Sequence, residues 1–236
     1  MKTDRIKAQR WNRRAQAALH KAYPEFGGDS LGEEVLEAYP PHPGRRMTEE
    51  EFLAWVKERT RAEWVNGEVT IMSPVSFEHD QLQTWLIRLV SDFVDNGELG
   101  KVCSVEFALR LPGLPSHRLT DLFFVSNQKA AGFQRTYFAG VPDLVLEIVS
   151  PDSIERDYKE KFNDYQISGI PEYWIIDPLK RIVTANQLVK GKYRRIAEKA
   201  GAVHSAALPG FFIKPAWLWE HPLPKKSLAL REMGIK

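Results

Sequence analysis

The sequence predicts an α/β (α+β) fold in which helices flank a central mixed β-sheet. Three observations predict it: a long amphipathic segment with the period of an α-helix, several apolar segments with the length of strands, and the turn signal Asn66-Gly67. Strands that alternate with helices along the chain in this order form mixed sheets covered by helices. A chain of 236 residues accommodates this fold as one domain with extensions.

The predicted elements begin at Thr48, which forms a capping box with Glu51 and starts a helix that runs to about Lys57. A hairpin over residues 62–73 and a long helix over residues 77–96 follow. The remaining predicted strands cover residues 102–111, 119–125, 142–149, 172–177, 181–188 and 192–197, and a helix over residues 153–168 ends at Gly169.

The two ends of the chain lie outside this pattern. Residues 1–46 consist of a basic arm and a segment rich in proline and glycine, residues 47–220 form the predicted domain, and residues 221–236 form a C-terminal tail that we expect to be flexible. Residues 1–22 hold seven cations and one anion. Such an arm is most often a solvated helix or a tail, although phosphates or a membrane surface would also attract it.

The composition excludes several classes of protein. The formal net charge of +2 is too small to indicate a nucleic-acid partner by itself. A single cysteine, Cys103, excludes an internal disulfide framework and a cysteine-based zinc site, and we expect it to pack as a small hydrophobe. Since no apolar stretch reaches the length of about 18 residues that spans a bilayer, and the N-terminus has no signal-peptide core, we expect no membrane partner and a cytoplasmic location.

Two carboxylates interrupt apolar strands. Glu147 lies inside the segment 142–149, where burial of a charge is costly unless a metal, a proton or a partner compensates it. Asp121 lies in the strand over residues 119–125, and the 26 residues between them allow the chain to return to a neighbouring strand. Two convergent carboxylates are the usual ligands of Mg²⁺ or Mn²⁺. Asp143 is too close to Glu147 along one strand to meet it, and we expect it to cap the start of that strand.

Lys161 is a third charged candidate. At about 100° per residue, the predicted helix places it in the middle of an inward face. A lysine on such a face either extends to the edge of the core or is held by carboxylates, and Asp157 at i−4 is within reach as a partner. The residues that share this face are Ile154, Tyr158, Lys161 and Tyr165.

Glu63 and His79 are polar residues for which simple structural roles are more common. Glu63 lies on the first strand of the predicted hairpin, where a glutamate normally faces solvent. His79 lies near the start of the long helix, and a lone histidine is more often a cap or a packed side chain than a ligand. From their local sequence alone, neither residue is assigned to a site.

Several motifs occur in a characteristic order between about Thr48 and Trp219. They are Glu63-Trp-Val-Asn-Gly-Glu68, Met72-Ser-Pro74, His79, Arg118-x-x-Asp121, Pro142-Asp-Leu-Val-Leu-Glu147-x-x-Ser150-Pro151, Asp157-x-x-x-Lys161, Tyr165, Gly169, Glu172-Tyr-Trp-Ile-Ile-Asp-Pro178 and Leu208-Pro-Gly-Phe. This order resembles the Uma-two family, a group assigned as endonucleases. The resemblance implies the restriction-endonuclease-like, PD-(D/E)XK fold.

The resemblance also implies roles for the charged residues. Asp121 and Glu147 match the two acidic residues of the active site, and Glu63 matches an early glutamate of the family. Lys161 matches a lysine displaced from the strand onto the following helix. The sequence departs from the family pattern at Thr120, where proline is usual, and in the strand after Glu147, where the position of the (D/E)XK lysine holds valine. Catalysis would therefore depend on Lys161 reaching the same space from the helix.

These matches imply a metal-dependent endonuclease that hydrolyses phosphodiester bonds in nucleic acid, with DNA as the expected substrate. Asp121 and Glu147, together with Glu63, would hold Mg²⁺ or Mn²⁺. Lys161 would orient the attacking water or stabilise the charge that grows on the phosphate. The alternative is a catalytically inactive nucleic-acid-binding module on the same fold, which would explain the basic arm through phosphate contacts alone. A glycosidase with paired carboxylates explains neither Lys161 nor the order of the motifs.

The resemblance finally implies an assembly. Nucleases of this fold often pair to cut two strands, so a homodimer is expected by analogy. Trp217 and Trp219 would either belong to the core or cover such a contact. The other tryptophans are expected in the core rather than stacked on bases.

Overall fold

A computed structural model describes residues 46–56 and 61–235 of the chain. The basic arm predicted for residues 1–46 lies outside the described residues except for Arg46. The chain divides into two units, of which the first ends at Met72 and the second begins at Ser73. Among the described residues, no helix combines the length and the apolar character needed to cross a membrane.

The first unit contains a helix and a hairpin: α1 (Glu49–Trp55), β1 (Ala62–Val65) and β2 (Glu68–Ile71). The predicted capping box of Thr48 and Glu51 is confirmed, because both of its hydrogen bonds are present. The predicted turn is also confirmed. Its residues Asn66 and Gly67 have φ angles of 51° and 88°, the left-handed conformation that a two-residue hairpin turn of this kind requires.

The second unit contains the remaining elements. Its helices are α2 (Phe77–Asn96), α3 (Lys161–Ile167), α4 (Pro215–Leu218) and α5 (Lys226–Glu232), with a 3₁₀ turn over Asn127–Gly132 and a π-helical turn over Arg156–Glu160. Its strands are β3 (Gly100–Ser104), β4 (Ala108–Arg110), β5 (Ser116–Arg118), β6 (Leu122–Ser126), β7 (Tyr137–Ala139), β8 (Leu144–Ile148), β9 (Glu172–Asp177), β10 (Ile182–Val189), β11 (Lys192–Glu198), β12 (Val203–His204) and β13 (Phe212–Ile213).

Six of these strands form a mixed sheet in the order β11-β10-β9-β8-β6-β3. Strands β8 and β9 are parallel, and the other neighbouring pairs of this sheet are antiparallel. Strand β4 pairs with β5 in antiparallel and with β7 in parallel orientation, and β12 pairs with β13. This topology confirms the predicted mixed sheet flanked by helices.

The central strands β6, β8 and β9 of this sheet are buried on both faces, and successive residues of each strand alternate between the two faces. One face packs against α2 and includes Leu122, Phe124, Leu144, Leu146, Trp174 and Ile176. The opposite face packs against Tyr165 of α3 and includes Phe123, Val145, Tyr173 and Ile175. Because Glu147 alternates with Leu146, it belongs to the face that α3 covers.

The sequence predicts some of these elements better than others. The helix predicted over residues 77–96 is confirmed at both ends as α2. The single strand predicted over residues 102–111 is wrong, because Val105 has a φ angle of 37° and the chain turns there between β3 and β4. Strands β5 and β7 are not predicted, since three residues are too few to show an alternating pattern.

The expectation of a flexible C-terminal tail is wrong. Leu230 and Met233, in and just after α5, pack against the core that contains α2. The indole Nε1 of Trp85 in α2 donates a hydrogen bond to the carbonyl oxygen of Pro224 at 2.7 Å. Trp217 belongs to the same core, with its ring centroid 6.5 Å from that of Trp85, so its side chain is not available to cover a dimer contact.

Glu172, the first residue of β9, is a fully buried carboxylate with a set of local donors. Its Oε2 accepts hydrogen bonds from the Ser205 hydroxyl at 2.6 Å and from the backbone N–H groups of Ala206 and Ala207 at 3.1 and 2.9 Å. Three donors compensate the burial of this carboxylate. Glu172 therefore holds the loop after β12 against the start of β9.

We expect Glu172→Ala to lower the free energy of unfolding by about 2–5 kcal/mol, because it removes the acceptor of two backbone N–H groups. Glu172→Gln keeps one oxygen acceptor and should cost less. Urea denaturation of the wild type and both variants measures the difference. An alanine variant as stable as the wild type would show that the loop does not depend on this carboxylate.

Candidate active site

The register of β6 and β8 brings two of the predicted carboxylates together. Leu122 pairs with Leu146 in this antiparallel ladder, so Asp121 and Glu147 form the next pair outward. The backbone N–H of Asp121 donates to Glu147 Oε2 at 3.3 Å, and the N–H of Ile148 donates to Asp121 Oδ2 at 2.7 Å. The two carboxylates therefore lie side by side and are held by backbone donors.

Lys161, the first residue of α3, brings an ammonium group to the same cluster. Its Nζ donates to Glu147 Oε1 at 2.8 Å and to the carbonyl oxygen of Leu119 at 2.9 Å, and it lies 3.8 Å from Oδ1 of Asp157. The hydroxyl of Tyr165, one turn later, donates to Glu147 Oε1 at 3.2 Å. The lysine is thus held by carboxylates, and its predicted pairing with Asp157 is confirmed.

The helical segment that carries Lys161 does not begin as a regular α-helix. In the π-helical turn over Arg156–Glu160, the N–H of Lys161 bonds to the carbonyl oxygen of Arg156, five residues earlier. In this wider turn, the angle between successive side chains around the helix axis differs from that of a regular α-helix. The prediction that Ile154 shares the inward face is therefore wrong, and Ile154 is 41% exposed. Lys161 and Tyr165 are buried as predicted.

Two polar residues of α2 complete the hydrogen bonding of Asp121. Gln83 Nε2 donates to Asp121 Oδ1 at 2.6 Å, and Nε2 of His79 lies 3.3 Å from the same oxygen. From the sequence alone, His79 is expected to cap or to pack, and Gln83 has no predicted role. Their spacing of four residues places both on one side of the helix. The spacing by itself does not indicate a site, because only the fold shows that this side of α2 contacts Asp121.

The cluster holds more acidic than basic groups, since Asp121, Glu147 and Asp157 surround the single ammonium group of Lys161. The side chains of Glu147 and Lys161 are each 3% exposed, whereas that of Asp121 is 16% exposed. Burial raises the pKa of the Glu147 carboxyl to about 8; the ammonium of Lys161 opposes this rise, and the charges of Asp121 and Asp157 add to it. Burial also raises the pKa of Asp157. A site of this kind favours a bound cation.

The carboxylate oxygens of Asp121 and Glu147 can be compared with the ligands that a divalent metal ion needs. Each oxygen of an ionised carboxylate accepts two hydrogen bonds. Within the described part of the chain, Oδ1 of Asp121 and Oε1 of Glu147 each have two polar partners, whereas Oδ2 and Oε2 accept one hydrogen bond each. Two adjacent carboxylates with remaining acceptor capacity fit Mg²⁺ or Mn²⁺, because Mg²⁺ binds through one or two carboxylates and keeps several waters. No group of three or more histidine, cysteine or acidic side chains suited to a metal occurs among the described residues.

The remaining residues considered in the sequence are Glu63, Asp143 and Cys103. Glu63 lies in β1 of the first unit and is 1% exposed, and its role as an acidic site residue stays a prediction. Asp143 accepts a hydrogen bond from the backbone N–H of Ser126 at 2.7 Å and pairs with Lys129 at 2.7 Å, which confirms its structural role. Cys103 packs beside the core as expected, and burial raises the pKa of its thiol to about 11.

Comparisons with known proteins identify a family and a similar fold. The sequence model of the Uma2 family, described as "Putative restriction endonuclease", matches residues 49–216. The chain belongs to the Uma2 family. Four solved chains match its structure. One of them is the crystal structure of a "putative nuclease belonging to DUF820" from Anabaena variabilis ATCC 29413, with a TM-score of 0.63 and 16% sequence identity over 73% of this chain and 97% of the other.

The comparison with curated proteins finds no match. The family match confirms the resemblance found in the motifs, and the likeness to a solved structure confirms the restriction-endonuclease-like fold. Together, the family and the solved structure support a nuclease function.

The raised pKa of Glu147 predicts how stability depends on pH. An unfolded glutamate has a pKa near 4.5, so the folded chain binds more protons between pH 4.5 and about 8. The contribution of this group to the free energy of unfolding therefore falls as pH rises through that window. We expect the wild type to lose stability relative to Glu147→Gln between pH 5 and pH 8, by at most about 1.4 kcal/mol per pH unit.

Thermal or urea unfolding of both proteins at several pH values measures this difference. Because Asp157 is present in both proteins, its own titration cancels to first order in the comparison. Parallel stability curves for the wild type and Glu147→Gln would contradict the expected titration of Glu147.

Proposed function

We propose that this chain is a metal-dependent endonuclease that hydrolyses phosphodiester bonds in nucleic acid, with DNA as the expected substrate. The observation that carries the proposal is the contact among Asp121, Glu147 and Lys161 in a chain of the Uma2 family. Two carboxylates can hold a divalent ion, and an ammonium group can stabilise negative charge on a phosphate. The three side chains thus combine the groups that hydrolysis of a phosphodiester requires.

Asp121 and Glu147 would hold Mg²⁺ or Mn²⁺, and Glu63 is the proposed third acidic residue. Nucleases with the restriction-endonuclease-like fold generally use divalent metals. When bound, such an ion polarises a phosphoryl oxygen and lowers the pKa of a water molecule. The acidic excess of the cluster supports this role, because a cation would relieve the repulsion between the neighbouring carboxylates.

The other groups of the cluster position these residues. Lys161 holds Glu147 through a hydrogen bond and adds positive charge near the phosphate, where negative charge grows during hydrolysis. Tyr165 donates to the same oxygen of Glu147 and so fixes its orientation. Gln83 orients Asp121 from α2. Water attack at phosphorus breaks one P–O ester bond, and the departing oxygen takes up a proton.

The alternative is an inactive nucleic-acid-binding module with the same fold. The complete set of acidic and basic residues favours an active enzyme, because a lysine buried among carboxylates is costly to retain where it has no role. We propose residues 47–220 as the nuclease domain and residues 1–46 as an arm that contacts phosphates. Since one cluster per chain cuts one strand, we also propose a homodimer for cleavage of duplex substrates.

We expect Lys161→Met to lower metal-dependent cleavage by at least about 100-fold, because it removes a charge that stabilises the transition state. Lys159→Met is the matched control. Lys159 lies two residues earlier, its side chain is 71% exposed and it pairs with Glu155, so its replacement should leave cleavage unchanged. Supercoiled plasmid and a single-stranded circle, each with Mg²⁺, Mn²⁺ or EDTA, provide the assay.

Glu147→Gln should abolish cleavage in the same assay. Full activity of a folded Lys161→Met variant would exclude the proposed role of the lysine. A wild type that binds both substrates but cuts neither would favour the inactive module, and one that neither binds nor cuts nucleic acid would refute both functions.

We expect Gln83→Ala to weaken Mn²⁺ binding by about 10–100-fold, the usual effect of losing a group that orients a metal ligand. Gln81→Ala is the matched control, because Gln81 is exposed on the same helix and contacts Asp80 instead. Calorimetric titration with Mn²⁺ in the absence of nucleic acid measures the affinity independently of cleavage. Equal affinities for the two variants would show that Gln83 does not position Asp121.

A further inference from the structure

The basic residues of the second unit are concentrated around strands β10 and β11. Residues 178–201 contain one anion, Glu198, and seven cations, all of them exposed: Lys180, Arg181, Lys190, Lys192, Arg194, Arg195 and Lys199. Their formal charge is therefore +6, whereas that of the whole chain is +2, so the other residues carry a net charge of −4. We call residues 178–201 the basic hairpin. Positive charge is therefore denser in the basic hairpin than in the rest of the chain.

Most of these cations have no acidic partner. Lys180 pairs with Asp177 at 3.0 Å. Among the described residues, the six other cations of the basic hairpin lie in no salt bridge. Cations that are exposed and unpaired attract a polyanion over a distance set by the ionic strength. A nucleic-acid backbone is a polyanion of this kind, and binding it releases condensed counterions.

The basic hairpin is a regular structure that can present these charges in a fixed pattern. Strands β10 and β11 pair over seven residues, from Val183 opposite Glu198 to Val189 opposite Lys192. The turn between them is formed by Lys190 and Gly191, with φ angles of 50° and 76°, the left-handed conformation that a tight hairpin turn requires. Four of the seven cations therefore lie on β11 or in its turn: Lys190, Lys192, Arg194 and Arg195.

The basic hairpin belongs to the same sheet as the candidate active site. Strand β11 is three strands from β8, which carries Glu147, so the two strands are about 14 Å apart at a usual spacing of about 4.8 Å. Arg195 lies on the face that carries Glu147, because it is two residues from Ala197 in the same strand, and Ala197 is in line with Glu147 through Ile175 and Thr184. Its charge also acts on Tyr158, in the π-helical turn just before Lys161.

We propose that the basic hairpin binds the phosphate backbone of the nucleic-acid substrate, about four nucleotides from the bond that is cut. The distance follows from the separation of β8 and β11 and the rise of about 3.4 Å per nucleotide along a strand of a duplex. This inference rests on the proposed nuclease function and adds a substrate-binding surface to it. Because the cations contact phosphates, the surface supplies affinity without base specificity.

Protection of the sheet edge is the other explanation of these charges. An edge strand often carries lysine to prevent pairing with other chains. That purpose needs one or two charges on the edge strand itself, whereas the basic hairpin extends the charge to Lys180 and Arg181 before β10 and to Lys199 after β11. A surface that only protects an edge would also make no contribution to the salt dependence of binding.

The experiment compares two double variants of the full chain with equal loss of charge. Arg194→Gln/Arg195→Gln removes two cations from the basic hairpin. Arg88→Gln/Lys101→Gln removes two exposed cations from α2 and from β3, the strand at the opposite edge of the sheet. Affinity for single-stranded and duplex oligonucleotides is measured by fluorescence anisotropy in EDTA over a range of salt concentrations. Melting temperatures confirm that both variants fold.

We expect the slope of log K against log salt to become less steep by about 0.7 for single strands and about 0.9 for duplex in the basic-hairpin variant only, because Arg195 lies on the face that carries Glu147 and one lost phosphate contact changes the slope by this amount. Equal slopes in the wild type and this variant, or equal changes in both variants, would overturn the proposal. If the hairpin variant does not fold, Arg195→Gln alone should reduce the slope by the same amount.

The same proteins separate this proposal from the proposed function. Cleavage by the wild type, together with an unchanged slope in the basic-hairpin variant, would overturn the docking surface and leave the nuclease function intact. Absence of both binding and cleavage in the wild type would overturn the two together. Binding that depends on the basic hairpin without cleavage would support the docking surface and refute the catalytic function.

Discussion

The ion pair between Lys161 and Glu147 is the interaction on which the arrangement of the candidate site depends. Both side chains are almost fully buried, and neither charge would be tolerated there without the other. The same ammonium group donates to the carbonyl oxygen of Leu119, just before β6, and lies near Asp157 of the π-helical turn. Lys161 thus connects β8, the residues before β6 and the π-helical turn. Removal of one member of such a pair typically costs about 3–5 kcal/mol, because the remaining group loses its nearest charged partner.

A comparison of two buried glutamates shows how their surroundings separate a structural role from a chemical one. Glu172 and Glu147 lie on neighbouring parallel strands, and both are inaccessible to solvent. Glu172 accepts hydrogen bonds from a serine hydroxyl and two backbone amides, which compensate it locally. Glu147 has two other carboxylates nearby, Asp121 and Asp157, and burial raises its pKa to about 8. Burial alone therefore does not indicate a functional carboxylate, whereas burial together with neighbouring like charges is the pattern that supports the proposed role of Glu147.

In the proposed site, the lysine comes from the helix and not from the strand after Glu147. Residue 149, where the usual motif would have lysine, is a buried valine that adds to the apolar core. The π-helical turn precedes α3 and sets the angle at which Lys161 enters the site. Single π-helical turns are frequent at functional sites, since they redirect a side chain without breaking the helix. Gln83 and His79 reach the cluster from α2, so the candidate site is assembled from a sheet and two separate helical segments.

By itself, the sequence determined the elements that depend on local pattern: the capping box at Thr48, the turn at Asn66-Gly67, the bounds of α2 and the mixed character of the sheet. Motif order also identified the family and the acidic and basic residues that the fold brings together. Only the tertiary structure decided the contacts of Gln83 with Asp121, the packing of α5 on the core and the donors around Glu172. Each of these joins residues more than 30 positions apart along the chain. Local periodicity is set by the backbone geometry of neighbouring residues, whereas such pairings depend on which faces the whole fold buries against each other.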